Sequence, residues 1–152
     1  MNDHRASSCA CVRVCSLGVN AHQTFAIDID NLEGKERQRV ERGLTVATGL
    51  FRLCAESGDA NAQFNVGLMY KQGLGVEQSD EECFKWWQLS AGQEFPSAQH
   101  NLGAMYDAGK VVERDSKKAA QLYLQALAGG HRESDDDVIS LAAYNLGIMY
   151  SM

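Results

Sequence analysis

Residues 60–76 read ANAQFNVGLMYKQGLGV, and residues 96–112 read PSAQHNLGAMYDAGKVV. Set 36 residues apart, the two stretches agree at Ala62/Ala98, Gln63/Gln99, Asn65/Asn101, Gly67/Gly103, Met69/Met105, Tyr70/Tyr106, Gly73/Gly109 and Val76/Val112. Eight identities in seventeen positions mark an internal repeat. A third copy, AAYNLGIMY at 142–150, aligns Ala142, Asn145, Leu146, Gly147, Met149 and Tyr150 with the same pattern. Its offset is 44, which puts about eight extra residues within 132–139.

The second half of each unit repeats more loosely. Residues 47–55, 83–91 and 119–127 read ATGLFRLCA, CFKWWQLSA and AAQLYLQAL. Small residues recur at Ala47, Cys83 and Ala119, and bulky pairs at Leu50-Phe51, Trp86-Trp87 and Leu122-Tyr123. Both halves have helical spacing. Ala62, Val66, Met69 and Tyr70 fall on one face of a helix, as do Cys83, Trp86, Trp87 and Ser90. Gly73-Leu74-Gly75 breaks the chain between them, Ser79 or Asp80 and Asp115 or Ser116 are placed to cap the second helices, and Gly58 and Gly130 to end them. Each unit is therefore expected to be helix, glycine turn, helix.

Gly67, Gly103 and Gly147 stand inside predicted helices, where glycine costs about 1 kcal/mol relative to alanine. The same cost at one position of three copies calls for a steric cause. The expected cause is close approach of a neighbouring helix, with Trp87 or Tyr123 filling the space.

These residues resemble the Sel-1-like repeat family of the tetratricopeptide-like superfamily. The resemblance is carried by Ala60-Asn61-Ala62-Gln63, Gly67, Tyr70, Gly73, Gly75-Val76, Trp86-Trp87 and Ala91. In the next unit it is carried by Ala98-Gln99, Leu102-Gly103, Tyr106, Gly109, Val112, Asp115, Ala119, Tyr123 and Ala126. Lys110 and Val111 depart from the family's small turn, Ser79 from its usual Asp, and Glu94 from its closing Gly. The resemblance implies an all-α solenoid of antiparallel helix pairs and a non-catalytic scaffold or adaptor that holds other proteins. An alternative is a regulatory repeat segment of a larger enzyme or signalling protein. The boundaries expected are a poorly structured tail over 1–34, a half unit over 35–58, full units over 59–94 and 95–130, and a truncated unit over 131–152.

Composition narrows the function further. The chain has 152 residues, one domain's length, with a net charge of −6. That charge argues against nucleic acid, whose phosphates call for clustered Lys and Arg. No apolar run approaches the roughly 18 residues of a membrane helix. Arg13 interrupts any secretory leader, there is no Asn-x-Ser/Thr sequon, and a cytoplasmic location is expected. No cofactor motif is present, and no nucleophile, base and acid are spaced for catalysis. Gly73-x-Gly75 follows a helix rather than a strand, and Gln78 stands where a phosphate loop needs glycine.

Candidate binding residues are few. Asn65, Asn101 and Asn145 either bind partner backbone or bond to the loop of the next unit. Trp86 and Trp87 face about 100° apart on their helix, so one fills the core and Trp86 is a candidate anchor; burial of both is the plainer reading. His100 and His131 lack ligand partners at metal spacing. Ser134-Asp135-Asp136-Asp137 suits a helix N-terminus. Cys9, Cys11 and Cys15 supply three thiols and no clear fourth ligand, while Cys54 and Cys83 read as small apolar core residues. Thr24–Asp30 alternates like a short strand with nothing to pair with. Lys35–Ser57 reads as one helix, braced by Arg37/Glu41. The third unit has a first helix and no second, leaving the stripe through Tyr150 uncovered. Missing repeats, a homodimer through this end, or a partner's helix would each cover it.

Overall fold

The computed structural model describes residues 33–129 and 136–151. Among them are six α-helices and no strand: α1 (Gly34–Glu56), α2 (Ala60–Gln72), α3 (Asp80–Ala91), α4 (Pro96–Ala108), α5 (Ser116–Gly129) and α6 (Asp136–Ser151). The all-α class and the helix-pair repeat are therefore as expected. The tail with Cys9, Cys11 and Cys15, the stretch Thr24–Asp30, Gly130, His131 and most of the acidic insertion lie outside the described residues. No described helix is long and apolar enough to cross a membrane. The chain divides into two compact units, one ending at Ser79 and one beginning at Asp80.

In the first unit α1 packs on α2. Phe51, Cys54 and Ala55 of α1 and Ala62, Val66 and Met69 of α2 are buried. Each large apolar side chain so buried contributes about 1.5–3 kcal/mol. The joint is short because its polar groups are used locally. The Gly58 N–H bonds to Ala55 O at 3.1 Å, and Asp59 Oδ1 accepts from the Ala62 N–H at 2.6 Å, capping α2. Gln63 Nε2 donates to Ala55 O at 3.1 Å, so α2 also satisfies a carbonyl at the open end of α1. Arg37 and Glu41 form the expected ion pair at 3.0 Å, exposed and of small energetic weight.

The turn after α2 explains one glycine. Gly75 has φ +69, and an ideal Cβ there would lie 2.5 Å from Thr48 Oγ1 and 2.7 Å from Leu44 O on α1. Backbone can therefore approach α1 only at a residue without a side chain. Val111 occupies the matching place in the next unit without positive φ. The turn survives the change because its anchoring bond lies elsewhere. The Ser79 N–H bonds to Tyr70 O, and the Asp115 N–H to Tyr106 O, both at 3.0 Å.

In the second unit α3 packs on α4, α4 on α5 most extensively, and α5 on α6, with α4 also touching α6. Gly129, at the end of α5, lies beside Pro96, at the start of α4, so these two helices run antiparallel. Asp115 Oδ1 accepts from the Lys118 N–H at 3.0 Å and caps α5. Glu94, where the repeat pattern closes with Gly, adopts φ +60. A side chain in that left-handed conformation costs about 1 kcal/mol. Cys54 and Cys83 are buried and in no disulfide, as small apolar core residues are.

Candidate protein-binding site

The second unit is held by an interlock around Gly103. An ideal Cβ at Gly103 would lie 3.0 Å from Tyr123 Cε1 and 3.3 Å from Ala119 O. The close helix approach expected from the repeat is thus made here, by α5. Tyr123 is 2% exposed, and its buried area outweighs the helix propensity lost at Gly103. At Gly147 the expectation fails: a Cβ there would meet nothing within 4 Å among the described residues.

His100 and Asn145 complete the interlock. The His100 ring lies 5.5 Å from the Tyr123 ring. His100 Nδ1 is 3.2 Å from Asn101 Oδ1, and His100 Nε2 is 3.3 Å from Asn145 Nδ2. An amide nitrogen only donates, so Nε2 accepts and Nδ1 carries the proton. That geometry requires neutral imidazole. Burial pushes the His100 pKa below its ordinary 6.5, and the Asn101 bond partly offsets this. Burial, then the charge of Asp107, pushes the Tyr123 phenol up, while a bond with Asn145 pulls the other way. Asn145 therefore ties α6 to both α4 and α5.

On α3, α4 and α5 lies a groove of about 540 Å³. Leu102, Tyr106 and Leu122 give it an apolar lining, with Gln88, Glu94 and Lys118 supplying polar groups. Tyr106 is fixed from two sides. Phe84 meets it edge-on at 5.6 Å, and Lys118 Nζ stands 4.5 Å from its ring centroid. Gln99 lines the same groove and is 3% exposed, yet its Oε1 is a buried side-chain acceptor with no hydrogen-bond partner. Its counterpart one repeat earlier, Gln63, donates to a carbonyl. An unpaired buried acceptor costs about 1–3 kcal/mol, which an N–H that reaches Oε1 would offset.

The residues singled out from sequence are not brought together. Asn65 is 4% exposed and donates to Asn61 O and Oδ1 at 3.0 and 2.6 Å. Asn101 and Asn145 bond to His100. Among the described residues none of the three bonds to the loop of a following unit: Asn65 bonds within α2, Asn101 within α4, and Asn145 to His100 of α4 and Tyr123 of α5. Trp87 is buried and Trp86 half-buried, so the pair does not share the core equally. Tyr150 is 78% exposed. Among the described residues, no three His, Cys, Asp or Glu side chains cluster to hold a metal. Gln99, Lys118 and Leu122 were not legible as a site. Gln99 recurs at Gln63 and so looks like part of the repeat; only its missing partner distinguishes it.

Three segments, 60–94, 96–131 and 140–152, match the Sel1 repeat model. The chain belongs to the Sel1 repeat family. Solved structures agree. A Sel1 repeat protein from Oxalobacter formigenes is 31% identical over 62% of this chain, with a TM-score of 0.56. A protective antigen present in uropathogenic Escherichia coli strains, displaying an SLR fold, is 26% identical over 99% of this chain, with a TM-score of 0.61. This chain spans 38% and 29% of those two chains. No curated protein sequence matches it. The Sel1 repeat chain is thus an all-α helical-repeat solenoid by fold class, and it is a repeat module of the protein-interaction type.

Proposed function

We propose that this Sel1 repeat chain is a non-catalytic adaptor that takes up a peptide segment of another protein in the groove on α3, α4 and α5. The observation that carries the reading is Gln99: its buried Oε1 has no partner, and the residue lines a mixed polar and apolar groove of about 540 Å³. A backbone or side-chain N–H of the segment satisfies Oε1, and an apolar side chain rests against Leu102 and Leu122. Glu94 and Lys118, of opposite charge on the same groove, orient the segment by its flanking charges. Trp86, two residues from Gln88 and so on the far side of α3, does not line the groove. Tyr150, Asn65 and Asn101 do not line this groove, and Asn65 has both its amide hydrogens engaged by Asn61.

The test is selection of random peptides displayed on phage against the full chain, followed by affinity measurement on Leu122→Glu and Gln99→Met. Enriched peptides that compete for one site and bind each variant at least about tenfold more weakly support the groove. Peptides that bind both variants as tightly as the natural chain, or no enrichment at all, overturn it.

A further inference from the structure

The α4–α5 contact has an unfilled counterpart on this chain. Shifting α5 back by 72 residues gives α1, and shifting α4 forward by 44 gives α6. On α4, Gln99, Gly103 and Tyr106 form one stripe and are all buried. Gly103 lies under Tyr123, and Tyr106 lies under Lys118. Their counterparts on α6 are Ala143, Gly147 and Tyr150, and all three are exposed. The contrast is largest at the tyrosines, 7% exposed at Tyr106 against 78% at Tyr150. Leu141, Tyr144 and Ile148 extend this open face.

The matching half is on α1. Lys118, Leu122 and Gln125 of α5 line the groove with Leu102 and Tyr106. Their counterparts are Val46, Leu50 and Leu53, one stripe of α1 that is 63%, 46% and 61% exposed. Where α5 carries Lys and Gln at two of these places, α1 carries Val and Leu. Phe51, the counterpart of Tyr123, is already buried, so the free stripe is this apolar one. Apart from Leu89 and Leu124, every large apolar side chain left exposed among the described residues falls on α1 or α6.

One charge favours the same pairing. Arg42 occupies the place of Arg114, which pairs with Asp107 at the C-terminal end of α4. In the same register Arg42 faces the C-terminal end of α6, where exposed carbonyls favour a cation.

We propose that α1 of one copy docks on α6 of a second copy, head to tail, in the way α5 sits on α4. Val46 then covers Tyr150, as Lys118 stands over Tyr106, and Leu50 takes the place of Leu122 beside it. Such a contact is heterologous, with two different faces, and each copy keeps one face of each kind for a further neighbour. It uses neither α3 nor the groove, so it stands or falls separately from peptide binding.

The test is sedimentation velocity on the full chain over a dilution series, with Leu50→Asp and Tyr150→Asp. Both positions are exposed, and circular dichroism confirms that each variant is folded; Leu53→Asp and Ala143→Glu replace either one that is not. The expected result is concentration-dependent association of the natural chain, at least about tenfold weaker in each variant alone. An equimolar mixture of the two variants restores one intact contact and forms a one-to-one dimer. A natural chain that stays monomeric overturns the proposal. So does a Leu50→Asp variant that associates undiminished, because a symmetric contact between two α6 faces would do so, and so does a mixture that stays monomeric.

Discussion

Tyr123 stands against Gly103 so closely that an ideal Cβ on the glycine would lie 3.0 Å from its ring. Gly103→Leu therefore has to displace Tyr123 or the α5 backbone at Ala119. The expected cost is about 3 kcal/mol, at the upper end of core overpacking. The control is Gly147→Leu, at the same repeat position, where a Cβ meets nothing among the described residues. It should be neutral or stabilise by up to about 1 kcal/mol through helix propensity. Urea unfolding of the two variants is the measurement. Equal effects at the two sites would show that the repeated glycine is not explained by helix approach.

Glu94 holds φ +60 where the repeat pattern closes with glycine. Replacing it with glycine relieves the left-handed strain at the cost of a looser unfolded chain. Glu94→Gly is expected to raise stability by about 0.5–1 kcal/mol, read as a higher urea midpoint at unchanged slope. A lower midpoint would mean that the glutamate side chain contributes more than its backbone conformation costs.

The helix pairs, their glycine turns and the cap at Asp115 were legible because each rests on local chemistry that recurs in register. Short-range signals of that kind do not depend on what packs beyond the helix. Three features were not legible for the opposite reason. His100 has Phe64 as its counterpart, so nothing in the repeat marks it as a bridge between α4 and α6. Gly147 matches Gly103 in sequence but lacks a neighbour, which is a property of the surroundings and not of the residue. Gln99 reads the same as Gln63, yet one side chain finds a carbonyl and the other leaves its oxygen unpaired.

His100 gives the chain a pH dependence whose sign follows from its environment. Burial depresses its pKa from 6.5 in the folded chain, so below that value the unfolded chain binds more protons. The stabilising contribution of neutral His100 is complete above about pH 6.5 and is lost as pH falls toward the folded pKa. Protonation also puts a hydrogen on Nε2, where Asn145 already donates. Thermal midpoints measured from about pH 7 down to about pH 5 should fall more steeply in the natural chain than in His100→Gln. Parallel profiles would mean that His100 is not the titrating group.

Gln99→Met replaces an unpaired buried oxygen with an apolar side chain of similar volume. The free chain should become more stable by about 1 kcal/mol, because the cost of the orphaned acceptor disappears. The same substitution should weaken peptide binding. A gain in stability coupled to a loss of affinity is the signature of a polar group kept for a ligand; a loss of both would make Gln99 a structural residue.

The groove itself is tested most directly by titrating a phage-selected peptide into isotope-labelled chain and following the nuclear magnetic resonance shifts. The expected result is that the side-chain amide of Gln99 and the methyl groups of Leu102 and Leu122 move first and furthest, while Leu50 and Tyr150 stay in place. Shifts confined to other helices, with the Gln99 amide unmoved at saturation, would contradict a protein-binding groove on α3, α4 and α5.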